Sequence, residues 1–283
     1  MISHNVLDAV FESTPRNRSN NFPIDIVPAS WTFDVWSAIY SWQALHLLYG
    51  LTLIFRKAFG DYIYTNPSPV SPGFYFLFII SSLSNTGWLF TSVRGNLIGS
   101  LFMSIINRFA LFGCIVISHR DLCRTGSSML SRGLFKDIWA IRLLIHNGVA
   151  FYAAWGSVAV LISFNTVLVY EGSVQRLTGT WLILALLNVI ILGVFFLEVC
   201  VFDRYARYTI AHYITLVIAL SGIMDRHFSV SKPYTIYVAV ILGLTILLGV
   251  IKGILMLYRH RKLPMYAQED NIKSSELTVV SHH

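Results

Sequence analysis

Five charged residues interrupt long apolar runs of this chain: Asp34, Arg108, Arg142, Glu198 and Lys252. An ion held in hydrocarbon costs ~2.5 kcal/mol or more unless it is paired or hydrated, so each needs a partner or a polar path. Two chemistries suit such a set: structural ion pairing, and the coupling of charge movement to transport. Glu198 and Arg142 fall toward the same side of neighbouring runs, with Arg108 nearer mid-depth, so Glu198 is expected to face Arg142 or Arg108. Asp34 also suits the first turn of a helix, where the macrodipole favours an anion. His146 and His212 are single residues on helical runs, where packed or capping roles are expected. No nucleophile has a base and an orienting acid at recognisable spacing, and there is no glycine-rich phosphate loop and no His/Cys/Asp metal cluster. Cys114, Cys123 and Cys200 have neither metal nor disulfide spacing. The expectation is a protein that is not an enzyme and holds no metal or resident cofactor.

The elements that must position these residues are membrane helices. Hydrophobic residues make up 55% and charged residues 12% of the chain, and the mean hydropathy is +0.63. A soluble domain carries about twice that charged share. The net charge of +7 does not point to nucleic acid, because Lys and Arg sit mostly in short loops, where they report orientation. No charged n-region with a cleavage site opens the chain, so a cleaved signal peptide is not expected.

Residues 1–30 are polar, carry the glycosylation sequon at Asn17, and read as an external tail. Seven apolar runs follow: Trp31–Phe55, Phe74–Ser92, Leu97–Ser118, Asp137–Tyr170, Thr178–Phe202, Tyr208–Met224 and Tyr234–Tyr258, each near the ~20 residues a crossing needs or longer. The basic link from His119 to Lys136, with the amphipathic piece MLSRGLFK, is expected at the headgroup boundary. The run from Asp137 to Tyr170 is the organising one. On a helical wheel Gly148, Tyr152, Trp155, Ala159 and Ser163 share one face, with Arg142 and His146 in the neighbouring sector. This small-and-aromatic side is expected to turn toward partners or a ligand. Gly249 and Gly253 form a small-xxx-small pair that permits close helix contact, including a homodimer.

Seven crossings place the termini on opposite sides. Outside the runs, Lys and Arg number six on the side of the amino terminus and twelve on the other. The amino terminus, with Asn17, is therefore expected outside and the carboxyl terminus in the cytoplasm. Residues 259–283 read as a basic stop and a polar cytoplasmic tail.

Pro28-Ala-Ser-Trp31-Thr-Phe33-Asp-Val-Trp36-Ser-Ala-Ile-Tyr40 resembles the Pro-x-x-Trp-x-Phe-x-x-Trp-x-x-x-Tyr signature of the TspO/MBR family, the translocator and tryptophan-rich sensory proteins. Asn85 to Trp88 resembles its Asn-x-x-Trp element, and Tyr152-x-x-Trp155-x-x-x-Ala159, with Asn165 after it, resembles its last shared helix. The resemblance implies an all-α bundle: a TspO-like four-helix core over residues 31–170, followed by three further helices over 171–258. It also implies an apolar ligand such as a porphyrin or sterol. Matched by position, the ligand residues are Trp31, Trp36, Tyr40, Asn85, Trp88, Tyr152, Trp155 and Ala159. Trp31 equally suits an interfacial anchor. Family members have one more helix ahead of the Pro-x-x-Trp element, where this chain has a polar tail. Two other readings stay open: a secondary transporter using the intramembrane charges, and a seven-helix receptor, against which stand the missing Asn-Pro-x-x-Tyr element and loop cysteines.

Overall fold

Backbone amides in hydrocarbon have no water to bond, so an apolar run must close its hydrogen bonds internally as a helix. A computed structural model describes residues 22–263 and 265–266, so Asn17 and the tail beyond Tyr266 lie outside the described residues. A 3-10 turn, Ser30–Asp34, leads into α1 (Val35–Phe55). A two-residue-per-strand hairpin follows, β1 (Lys57–Ala58) antiparallel to β2 (Asp61–Tyr62). Then come α2 (Pro72–Val93) and α3 (Leu97–Ser131). Next are α4 (Phe135–Tyr170) and α5 (Arg176–Val201). The short α6 (Asp203–Ala206), then α7 (Ala211–His227) and α8 (Pro233–Lys262) complete the order.

Tertiary bonds fix the direction of every helix. At one end of the bundle the Ala29 amide donates to Gly222 O at 2.9 Å, Trp31 Nε1 donates to Asp225 Oδ2 at 3.0 Å and Tyr170 OH donates to Pro23 O at 3.1 Å. At the other, Arg56 forks onto Asp137 at 2.7 and 2.8 Å, the Ser71 amide donates to Asp121 and Arg259 meets Asp203 at 2.6 Å. Helices α1, α3, α5 and α8 therefore run from the Trp31 end to the Arg56 end, and α2, α4 and α7 run back. Six of these seven traversing helices are long and apolar enough to cross a membrane. The seventh, α7, has 17 residues, the lower limit for a crossing.

Helix α4 is the central wall, the most buried of the six spans, in contact with α1, α3, α5 and α7. Its Ile141–Asn147 portion is a π-helical turn, which loosens nearby backbone carbonyls. Neighbouring side chains take them up: Trp42 Nε1 donates to Leu143 O at 3.2 Å, Gln43 Nε2 to Gly148 O at 3.1 Å, and Asn147 Nδ2 to Arg142 O at 2.8 Å.

The third helix departs from expectation. It does not stop at Ser118 but runs on to Ser131, so the stretch from His119 continues the helix instead of starting a link. The polarity of this segment hid a helical face on which His119, Leu122, Gly126 and Met129 are buried, with Tyr266 lying on Gly126 and donating to Leu122 O at 3.2 Å. The C-terminal end of α7 packs against the chain just ahead of α1: Gly222 O accepts from the Ala29 amide, and Thr32 fills the space a side chain at Gly222 would need.

Candidate functional site

Three helices bring the aromatic residues together. Trp36 of α1 stacks on Trp88 of α2 with centroids 5.9 Å apart and meets Tyr152 of α4 edge-on at 6.1 Å. Phe33 stands edge-on to Trp155 at 6.4 Å. Between them is a cleft of about 90 Å³ lined by Trp36, Trp88, Trp155 and Ala159, with Phe22, Val27, Pro28 and Phe33 forming the wall on the amino-terminal side.

Four of the eight matched ligand residues thus line the cleft. Tyr40, Asn85 and Tyr152 stand behind it. Tyr40 stacks on the far side of Trp36 at 5.6 Å and accepts from Asn85 Nδ2 at 3.2 Å. Tyr152 OH accepts from Asn107 Nδ2 at 3.1 Å. Trp31 stands elsewhere, 48% exposed and tied to Asp225, the position of an anchor.

One polar group in the cleft is unspent. Trp155 is 4% exposed, yet its indole N–H has no hydrogen-bond partner among the described residues. A buried donor left unpaired costs about 1–3 kcal/mol, and such groups in folded proteins call for an explanation. The cleft is small beside the roughly 300–1,000 Å³ of ordinary ligand sites. Its amino-terminal wall is a separate strip of chain, held by Tyr170, His227 on Val27 O at 2.9 Å, and the Ala29 and Trp31 bonds.

A family model for TSPO-like protein matches residues 1–252. The chain belongs to that family. No curated protein and no solved structure matches it. This TSPO-like protein is accordingly an integral, multi-pass membrane protein.

The intramembrane charges of the TSPO-like chain find partners other than those expected. Glu198 does not face Arg142 or Arg108. Its Oε2 gathers Lys252 Nζ at 3.6 Å, His212 Nε2 at 3.2 Å and the Tyr213 hydroxyl at 3.4 Å. Helical periodicity gives the face of Glu198 but not which helix lies opposite, and α7 and α8, not α3 and α4, lie there. Arg108 is held by neutral acceptors instead: Nη1 donates to Tyr152 O at 2.9 Å and Ala153 O at 3.1 Å, and Nη2 to Asn107 Oδ1, while Nε has no partner among the described residues. Gly156 makes this possible, since a Cβ there would overlap the guanidinium. Arg142 lies in an aromatic box, 3.8 Å from the Tyr208 ring centroid, 4.8 Å from Trp139 and 5.7 Å from Tyr266, where ring quadrupoles replace a counter-ion. Asp34 sits exposed at the start of α1.

Two features escaped the sequence reading. His119 and His146 stack with centroids 3.8 Å apart; His119 donates from Nδ1 to Ile115 O at 2.7 Å, so its Nε2 accepts from Thr209 at 2.8 Å when the ring is neutral. The larger feature is a cavity of about 570 Å³ among α3, α4, α5 and α7. The small residues Ala150, Ala153, Ala154 and Ser157 of α4 were a usable signal for it, but they read equally well as close helix contact.

Proposed function

We propose that this TSPO-like protein binds an apolar small molecule, of the porphyrin or sterol class, against Trp36, Trp88, Trp155 and Ala159. The unpartnered, buried indole N–H of Trp155 carries the reading: it offers a hydrogen bond to an acceptor on a ligand whose flat apolar body stacks on the flanking rings. Because the cleft is small, a ligand of this size enters by lifting the strip from Phe22 to Phe33 off α4. The function is binding or sensing, not catalysis. The transporter alternative draws on Glu198 and Lys252, and porphyrin flux into liposomes separates it from simple binding. A homodimer draws on Gly253 alone, which has open space beside it, since Gly249 already touches Tyr213 within the chain.

The amino terminus is proposed outside. Arg56, Arg120, Arg124, Arg132 and Arg204 all belong to the opposite end of the bundle, the cytoplasmic one under the charge rule. Glycosidase treatment at Asn17 and an accessibility tag at residue 275 test this orientation; a cytoplasmic Asn17 overturns it.

The binding proposal is tested by quenching of tryptophan fluorescence with protoporphyrin. Ala159→Phe fills the cleft and is expected to abolish quenching while the melting temperature stays within a few degrees. A destabilised Ala159→Phe with unchanged quenching would mean that this face is ordinary helix packing.

A further inference from the structure

The 570 Å³ cavity is a separate site from the aromatic cleft, on the other side of α4. Its floor on α4 runs from Ala150 to Leu161, a length of roughly 16 Å at ~1.5 Å per residue. The α4 side is cut back to alanine and serine over most of that length. The α3 and α5 rims carry Val116 and Ile190, which are exposed on the outer surface of the bundle, so the cavity opens sideways toward the hydrocarbon.

Its lining is mostly apolar; at the Arg56 end His119, Arg120, Thr209, Glu198, His212 and Tyr213 reach it. The charge of Glu198 is already balanced by Lys252, itself 2% exposed. All the contacts of the carboxylate fall on Oε2, and among the described residues none bonds Oε1. Lys252 Nζ and His212 Nε2, although close to Oε2, make no hydrogen bond among the described residues, so this end suits an uncharged group that donates to Oε1 and can also accept, as a hydroxyl does. A cationic head would have to sit beside Lys252 and Arg120, and an anionic head beside Glu198.

We propose that the cavity is a second ligand site, taking an uncharged, elongated apolar molecule whose single hydroxyl or N–H donates to Glu198 Oε1. Entry is lateral, from the bilayer, between α3 and α5. Hydrogen bonds to a charged acceptor are among the stronger ones, so the donor is expected to raise occupancy about tenfold over the same chain without it.

The experiment uses the full chain in phosphatidylcholine nanodiscs and a sixteen-carbon alcohol bearing a mid-chain diazirine. Photolabelled peptides are mapped by mass spectrometry against probes of equal length ending in methyl, carboxylate or trimethylammonium. The alcohol is expected to label peptides from residues 150–161 and 187–198 about tenfold more than the methyl-ended probe, and more than either ion. The double variant Glu198→Leu with Lys252→Met removes both charges together, leaving no ion uncompensated, and should bring alcohol labelling down to the methyl level. Should that variant not fold, Ala154→Leu, which fills the cavity without touching a polar group, should remove the saturable alcohol labelling by itself. Equal labelling by alcohol and methyl probes would make the cavity an ordinary lipid-contact groove and overturn the proposal. So would stronger labelling by either ion, labelling confined to other segments, or an alcohol preference that survives these variants.

Discussion

Single residues in this protein are set by what their neighbours leave room for. Arg108 survives without a carboxylate because two α4 carbonyls accept from it and Gly156 yields its volume. Gly156→Ala should therefore be costly although it adds one methyl in a helix, where alanine normally gains about 1 kcal/mol over glycine. The expected result is a loss of roughly 2 kcal/mol or more in detergent melts, as the guanidinium is pushed off its acceptors. A neutral or stabilised Gly156→Ala would show that Arg108 can be satisfied elsewhere. The asparagines of α4 offer a paired comparison. Asn147 Oδ1 accepts from the Ile210 and Ala211 amides at 2.9 and 3.0 Å, and its Nδ2 donates to Tyr208 O at 2.8 Å. Asn165, fully buried, has no partner on either side-chain atom among the described residues. Asn147→Ala should cost at least 1 kcal/mol more than Asn165→Ala, since only the first strands buried backbone groups. Equal losses in thermal melts would refute the distinction.

At the scale of elements, the apolar runs and their order were legible, because a span is dictated by length and hydropathy. The convergence of Trp36, Trp88, Trp155 and Ala159 was legible only through the resemblance to the TspO/MBR signature, since helical spacing fixes which side chains of one helix share a face but not which helices meet. Register between helices far apart in sequence was not. The partners of Glu198 come from α7 and α8, and nothing in the composition of those helices announces that they lie opposite. Likewise the run after Ser118 looks like a loop by its Arg, Asp and Ser content, and its helicity follows from partners distant in sequence, Ser71 on Asp121, Thr209 and His146 on His119, and Tyr266 on Gly126. The Asn147 bonds show the same limit: they cap the start of α7 from another helix, replacing the Ser, Thr or Asp that would have signalled a helix start in the sequence. Replacing Arg56 by Lys tests an element-level tie, the clamp of α1 onto α4. Lysine cannot reproduce the two-pronged bond to Asp137, so accessibility of a cysteine placed at residue 63, buried just after the β1–β2 hairpin, should rise; unchanged labelling would mean the hairpin is held without the clamp.

Over the whole molecule, the Arg56 end carries most of the ion pairs among the described residues, and they respond to pH. Burial alone would raise the Asp203 carboxyl, but the hydrogen bonds and charges of Arg207 and Arg259 outweigh it and hold the group below the usual carboxylate range. A lowered folded value contributes stability above the unfolded carboxylate value and loses it as pH falls through the folded one. Melting temperature should thus decline below about pH 4, and decline less in Asp203→Asn, which starts lower. A variant with the same acid slope as the natural chain would place the acid sensitivity elsewhere.

The seating of α7 against Ala29 separates gene order from spatial order. The His227 ring touches Val27, so the end of α7 and the beginning of the described chain are already within a short linker of each other. Cut after Tyr170 and rejoined so that residues 203–227 precede residue 22, the polypeptide would pass through α7, α1, α2, α3 and α4 without crossing itself. Helix α5 is then dispensable as the bridge that carries the chain back, and α8 as the lid over Lys252. Such a permuted five-helix protein should insert and keep the aromatic cleft, whose lining comes wholly from residues 22–36, 88 and 155–166, while the lateral cavity loses its α5 wall. Two cavities that share one helix would in this way become separable by rearrangement alone, one inherited by the permuted unit and the other abolished with the connector.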